Sequence, residues 1–320
     1  MIKVTSNEPN TVSVSWYFTT VCNFACSYCP TELHDGKFGF PDYENALEFI
    51  KKIAENTDKV FLELVGGEPT LWPKLIDFLK EVQTYSNVTS MILTNGSRTN
   101  NWWKKYCNAD LDLKTLFVFS FHNEQCDRDL FYSNLEIISE KHNVVAMLLL
   151  DPKRFDYTKE LGDRIQKNLP VDVVYKPIRK QMHNIDLLDG YTDNMYKLIN
   201  RTHKENLYDR KKYKKESDKI IFPTKIYIDN ELTNWQTVIL EKRHAFKGWK
   251  CAAGSKRFCI DFNGDVLTCS EARHFSKEIK NNYLLGNINK NNVNILKDYV
   301  TCPVDFCPCK MDALTEKHNG

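Results

Sequence analysis

The sequence predicts an α/β chain, a partial (β/α)6 TIM-like barrel followed by a small C-terminal domain of cysteine-rich β-hairpin and helix. Three observations carry this. Between residues 12 and 176, short β-rich runs alternate six times with stretches of helical period. Most of those runs are continuously apolar, as parallel strands covered on both faces must be. Beyond residue 250, six of the eleven cysteines fall within about seventy residues, too dense for chance.

The strands read in order as Val12–Phe18, Val60–Val65, Val88–Thr94, Thr115–Phe121, Val144–Leu150 and Val171–Tyr175. Between the first two, Ala46, Leu47, Phe49, Ile50 and Ile53 form one helical apolar face, and Leu71, Leu75, Ile76, Leu79 and Val82 form the next. From 177 to about 245 the alternation breaks into a polar helix near Tyr191–Tyr208, a charged run, and β-like Ile220–Ile228 and Trp235–Leu240. Phe258–Phe262 and Asp265–Thr268 then read as a hairpin turning at Asn263-Gly264. The expected division is 1–180 for the barrel, 181–245 for a connector and 246–320 for the cysteine-rich domain.

A chain of 320 residues suffices for one large core and a smaller one. Lys and Arg number 44 against 42 Asp and Glu, so net charge does not point to a polyanionic partner. The N-terminus MIKVTSNEPN lacks the apolar core of a secretory signal, and no stretch is long enough to cross a bilayer, so a cytoplasmic protein without membrane contact is expected. In a reducing compartment, eleven cysteines point to metal ligation or redox chemistry rather than disulfides.

Just past the first strand stands CNFACSYC, with Cys22, Cys26 and Cys29 in a C-x3-C-x2-C triplet. A four-iron cluster ordinarily takes four thiolates, so three without a nearby fourth leave one iron open to chelate a cofactor. The alternative is zinc with His34 as fourth ligand, since zinc prefers four closed ligands. After the second strand comes Gly66-Gly67-Glu68-Pro69-Thr70. The two motifs, both at carboxyl ends of strands, together resemble the radical S-adenosylmethionine (radical SAM) superfamily. The resemblance covers 12–176 and about 246–310.

That resemblance implies that Cys22, Cys26 and Cys29 hold a [4Fe-4S] cluster whose fourth iron binds S-adenosylmethionine. It implies reductive cleavage to a 5′-deoxyadenosyl radical that abstracts hydrogen from a substrate. Tyr28 falls where the family has an aromatic residue near the adenine. Gly66 and Gly67 would let backbone approach the cofactor closely, Glu68 would accept from the methionyl ammonium, and Pro69 completes the motif. At the next strand ends, Asn95 and Ser120 match positions where the family contacts ribose or carboxylate; turn and capping roles are the alternative. His122 is expected to be structural or substrate-facing, and Lys153 and Arg154 to be surface charge.

The spacing Cys251-x12-Gly264-x4-Cys269 looks like the start of the Twitch and SPASM extensions, which hold auxiliary [4Fe-4S] clusters. The contracted tail CPVDFCPCK implies one auxiliary cluster, with a zinc ribbon as the alternative. Cys251 and Cys269 would be two ligands. The other two come from Cys302, Cys307 and Cys309, with Cys302 and Cys307 preferred, since both thiolates of the C-x-C pair, Cys307 and Cys309, point from almost adjacent residues. Cys259 is either a buried thiol, a further ligand, or a catalytic hydrogen-atom donor of the kind epimerising relatives use. Cys107 and Cys126 read as ordinary core or surface thiols.

No phosphate-cradling G-x-x-x-x-G-K, nucleophile elbow or H-E-x-x-H is present. The resemblance therefore implies an oxidoreductase-, epimerase- or maturase-type enzyme acting on a small molecule such as a sugar or aminoglycoside-like alcohol, served by an electron donor such as flavodoxin or ferredoxin. Only about eleven residues precede the first strand, which favours this over modification of a peptide or protein, the second reading. A third, of another class, is an RNA-binding protein stapled by metal and using the basic segment 201–219, in which Arg210, Lys211, Lys212, Lys214 and Lys215 lie beside Tyr208 and Tyr213. Glu216 and Asp218 dilute that charge, and a nucleic-acid partner is not expected.

Overall fold

A computed structural model describes residues 3–6, 11–111, 115–180, 186–204, 225–228, 231–234, 238, 243–307 and 309–320. The strands are β1 (Lys3–Ser6), β2 (Thr11–Tyr17), β3 (Lys59–Val65), β4 (Val88–Thr94), β5 (Thr115–Phe121), β6 (Asn143–Leu150), β7 (Asp172–Pro177), β8 (Lys225–Ile228), β9 (Glu231–Asn234), β10 (Lys250–Cys251), β11 (Arg257–Ile260), β12 (Asp265–Leu267), β13 (Leu284–Asn287), β14 (Val300–Thr301) and β15 (Lys317–His318). The helices are α1 (Tyr43–Asn56), α2 (Leu75–Val82), α3 (Asn100–Cys107), α4 (Arg128–Ser139), α5 (Phe155–Asn168), α6 (Asp193–Lys204), α7 (Lys277–Asn281) and α8 (Lys310–Leu314).

Strands β2 to β7 lie in chain order, each parallel to the next, and the five connections between them carry α1 to α5. This is the partial barrel that the alternation predicts, and β4 and β5 match their predicted bounds to the residue. The sheet does not stop at β2. Strand β11 adds in parallel to β2's free edge, setting Cys259 opposite Ser15, and β12 and β13 follow antiparallel, giving nine strands in all. The hairpin of the cysteine-rich segment thus continues the barrel sheet, with Gly264 (φ +84°) in its turn.

A second, antiparallel sheet joins both ends of the chain in the order β14-β10-β15-β1-β8-β9. The N-terminal lead is therefore partly strand, with Val4 opposite Lys317 and Ile228. The predicted β-like run 220–228 is described only as β8, and of the predicted 235–240 strand only Val238 is described; a strand at Glu231–Asn234 precedes it. The basic residues Arg210 to Lys215 with Tyr208 and Tyr213 lie outside the described residues.

The side chains of the parallel strands divide between two cores. Val12, Val14 and Trp16 face the helices, where Trp16 meets Phe49 of α1 and Phe78 of α2 edge-on at 6.2 and 6.4 Å. Fully burying each such aromatic contributes roughly 1.5–3 kcal/mol. On the opposite faces of β3 to β7, Phe61, Met91, Val118, Val145 and Val174 belong to one cluster with Val4, Phe246, Met311 and Leu314. The second sheet and tail thus share one core with the inward-facing side chains of the barrel strands. Among the described residues no helix is long and apolar enough to cross a membrane.

At the amino end of β6, His142 is buried edge-on to Tyr106 and Phe117, and among the described residues its Nδ1 has no hydrogen-bond partner. Burial, then the charge of Lys141, lowers its pKa to about 4. The unfolded chain therefore binds more protons between that value and the ordinary histidine pKa near 6.5, so stability is lost as pH falls through this window. In urea titrations across it, His142→Phe is expected to flatten the wild-type pH dependence by up to about 3 kcal/mol; an unchanged slope contradicts this reading of His142.

Candidate functional site

The chain leaves β2 at the carboxyl edge of the sheet and enters the cysteine loop. Phe24 N donates to Cys22 Sγ at 3.4 Å, and Cys29 N donates to the Cys26 carbonyl at 3.0 Å, closing a tight turn between the second and third thiols. Cys26 is buried, Cys22 and Cys29 half-buried. Burial raises the pKa of all three, Cys26 to about 11 and Cys29 to about 12, and the negative charge of Cys26 and Cys22 adds to the rise at Cys29. Three thiols that oppose one another's ionisation fit an iron–sulfur core, whose positive irons would relieve that repulsion. His34 instead contacts the Cys29 carbonyl, 3.3 Å from Nε2. Among the described residues, no three His, Cys, Asp or Glu side chains surround the position of a single ion.

The glycine motif sits beside this loop at the end of β3. Gly67 (φ +51°) lies so close that a Cβ there would stand 2.5 Å from the Val21 carbonyl and 2.7 Å from that of Thr19. At Gly66 (φ +82°) a Cβ would stand 2.9 Å from the ring of Phe262 at the C-terminal hairpin. Both positions need the left-handed backbone that glycine adopts freely, and here both are crowded by protein. Pro69 opens a short 3-10 turn capped by Glu68, as suits a residue with no N–H to satisfy.

Glu68 is fully buried and buckles two strand ends together. Its Oε1 accepts from Thr70 N (3.0 Å), Thr70 Oγ1 (2.6 Å) and Thr94 Oγ1 (2.8 Å), and its Oε2 from Asn95 N (2.6 Å). Burial raises its pKa against these hydrogen bonds, which lower it. Asn95 is equally engaged: Nδ2 donates to Asn23 Oδ1 at 2.9 Å and lies 4.0 Å from Cys22 Sγ, while Oδ1 accepts from Ser97 N. Strand β4 therefore holds the near side of the cysteine loop.

Strand β5 holds the far side. Tyr28 OH lies 3.0 Å from His122 Nδ1, with the rings stacked at 10°, and Ser27 donates both N–H and O–H to Glu124. Burial, then the charge of Lys176, lowers the pKa of His122 to about 4, so the ring is neutral near pH 7. Ser120 is buried one position before the end of β5. Arg154 is more than surface charge, because its Nη1 reaches the Asn123 carbonyl at 2.5 Å. Lys153 contributes its backbone N–H to Asp151.

The second cysteine group gathers where the tail meets the barrel interior. Cys251, Cys269, Cys302 and Cys307 line one small pocket together with Glu271, Asp312 and Lys317. Cys309 is not in its lining; its Sγ lies 3.5 Å from Ser270 Oγ and 3.9 Å from Arg257 Nη2. Burial pushes up the thiols of Cys251 and Cys302, takes Cys269 and Cys307 well above the usual value, and takes Cys309 to about 11. Lys317 is buried with Nζ on the carbonyls of Asp312 (2.7 Å) and Ala313 (3.0 Å), a fixed cation beside the pocket.

Cys259 is wholly buried on β11, packed with Leu267, Ala272 and Tyr17, and burial raises its pKa so that it stays a thiol. Cys107 and Cys126 donate to the carbonyls of Ile137 and Asn95. Sequence reasoning missed the Ser27–Glu124 clamp and the buried ion pair of Arg257 Nε with Asp312 Oδ1 (2.8 Å), since neither pair has a local spacing signature.

Comparisons with known proteins bear on the family and the fold. A family model described as the radical SAM superfamily matches residues 16–202. A Flammeovirga pacifica protein named S-adenosylmethionine-dependent nucleotide dehydratase is 30% identical over 128 residues, 38% of this chain and 43% of its own length. A GTP 3′,8-cyclase of Helicobacter pylori is 30% identical over 143 residues, 42% and 44% of the two chains. The chain thus spans less than half the length of these relatives. Among solved structures, native anSMEcpe with bound AdoMet superposes with a TM-score of 0.55 at 15% identity, over 88% of this chain and 79% of that one. Streptococcus suis SuiB bound to S-adenosylmethionine gives 0.52 at 13% identity, over 81% and 60%. These likenesses are of fold.

Proposed function

Because the chain belongs to the radical SAM superfamily, whose members are enzymes that use S-adenosylmethionine and a [4Fe-4S] cluster, we propose that it reductively cleaves that cofactor at Cys22, Cys26 and Cys29 and abstracts hydrogen from a small molecule. The observation that carries this is the meeting of the three thiols, the glycine motif and the ends of β4 and β5 at one edge of the sheet. When bound, the cluster supplies the electron and the cofactor the adenosyl group. The chain supplies position. Gly66 and Gly67 keep the strand end free of side chains, and Tyr28, Pro69, Asn95 and Ser120 border the cofactor. Among the described residues Glu68 Oε2 accepts from Asn95 N alone, so it would keep acceptor capacity for an ammonium group.

The second part of the proposal is a Twitch/SPASM-like auxiliary [4Fe-4S] cluster within 246–320, following a barrel at 1–180 and a connector at 181–245. The shared pocket supports Cys251, Cys269, Cys302 and Cys307 as its ligands over Cys309. With four protein thiolates the cluster is closed, which suits electron relay or anchoring of the fold rather than substrate binding. Single serine replacements test the choice. Cys307→Ser is expected to lower iron from about eight to about four per chain, while Cys309→Ser keeps about eight; the reverse pattern makes Cys309 a ligand.

Cys259, a protonated thiol on the barrel-facing side of β11, is proposed as the hydrogen-atom donor. A flavodoxin or ferredoxin would deliver the electron. The relatives named for a nucleotide and for GTP favour a small molecule. The likeness in fold to anSMEcpe bound to AdoMet and the Cp18Cys peptide, with a TM-score of 0.54 at 15% identity, is what favours the second reading, a peptide or protein substrate.

A further inference from the structure

The turn after β5 carries an anchor for the cysteine loop that no motif announces. Glu124 accepts twice from one residue, Ser27 N at 2.8 Å on Oε2 and Ser27 Oγ at 2.6 Å on Oε1. One residue further, Tyr28 meets His122 through its hydroxyl and its ring face, and Phe24 packs edge-on against the same imidazole at 6.2 Å. The turn is itself braced from behind. Gln125 N and Cys126 N donate to the His122 carbonyl, Arg154 Nη1 to that of Asn123, and Cys126 Sγ to that of Asn95.

Ser27 and Glu124 are both exposed and stand 97 residues apart, so hydrophobic packing does not explain their pairing. A carboxylate that takes a backbone N–H and the hydroxyl of the same residue fixes that residue's orientation, and such charge-assisted bonds are the stronger kind. Ser27 lies between Cys26 and Cys29, so what fixes it also fixes the spacing of two thiols. On the other side, Asn95 and Ser97 hold Asn23 between Cys22 and Cys26. The loop is thus held at two points, by two strands other than its own.

We propose that Glu124 is a positioning residue for the cluster loop: it orders the Cys26–Cys29 segment before iron arrives, and its carboxylate places a negative charge beside the cluster that holds the reduction potential down. The second half rests on the cluster reading given above, whereas the first does not.

The experiment uses the full chain in both iron-free and reconstituted forms. Without iron, Glu124→Ala is expected to raise amide hydrogen exchange of residues 22–29 roughly tenfold, as loss of one or two net hydrogen bonds would, with the rest of the chain unchanged. Should exchange rise throughout the chain, the near-isosteric Glu124→Gln decides by the same local measure. After reconstitution, Glu124→Gln should move the midpoint potential of the S-adenosylmethionine-binding cluster to a more positive value, and Glu136→Gln on α4 should not. Wild-type exchange in both Glu124 variants overturns the anchoring role, and an unmoved potential overturns the electrostatic one. Wild-type protein that takes up no iron sinks the cluster reading and leaves the exchange result to judge the anchor.

Discussion

Cys26→Ala is expected to remove iron from the N-terminal triad and to lower 5′-deoxyadenosine formation by more than about 100-fold, since even loss of a residue supporting a metal ligand costs 10–100-fold. Cys26 is the buried thiol of the three, and the Cys29 N–H bonds to its carbonyl. Alanine keeps that backbone turn and deletes only the sulfur, so the variant should fold. About four irons per chain should remain if the auxiliary cluster is present. Iron analysis and chromatography of the cofactor products check both numbers, and wild-type 5′-deoxyadenosine would refute the ligand assignment.

Glu68→Ala should be the most damaging change outside the cysteines. Four donors converge on its carboxylate, two of them backbone N–H groups that cannot turn away. Orphaning a buried donor costs about 1–3 kcal/mol, so a loss of roughly 2–4 kcal/mol in stability is expected after allowing for relief of a buried charge. Glu68→Gln is informative because its amide offers one acceptor where two are used. If the oxygen serves Thr70 and Thr94, the NH2 faces Asn95 N–H, so this variant should also be destabilised, by about half as much. Both should lose cofactor cleavage, because the Asn95 end of β4 and the glycine motif are tied through this one carboxylate. Unchanged melting in both variants would contradict the buckle.

How much of this was legible beforehand follows physical lines. Strands β4 and β5 were readable to the residue because VTSMILT and TLFVFSF are buried along nearly their whole length and are mostly apolar or β-branched. Strand β1 was not: KVTS is short, and its partners lie more than 200 residues away at Tyr227 and Lys317. Nor could the sequence place β11 against β2, since a turn signal fixes a hairpin but not the edge on which it docks.

At the site, the cysteine triplet and the glycine motif were readable because their chemistry is local in sequence. The reason inferred for the glycines was incomplete, because the groups crowding Gly66 and Gly67 in the structure are Phe262 and the Thr19 and Val21 carbonyls. Glu124, Arg257 and Lys317 gave no signal, since each takes its meaning from partners brought near by the fold. The preference for Cys302 and Cys307 over Cys309 has its support in one shared pocket, which spacing alone could not reveal.

The central claim is that three thiols at the end of β2 hold a cluster able to split S-adenosylmethionine. Its most direct test is oxygen-free reconstitution with iron and sulfide, followed by reductant and cofactor, with 5′-deoxyadenosine measured over time. The account predicts its formation by the wild-type chain and its absence from Cys26→Ala. A chain that retains zinc, takes up no iron at the triad and leaves the cofactor intact would contradict it.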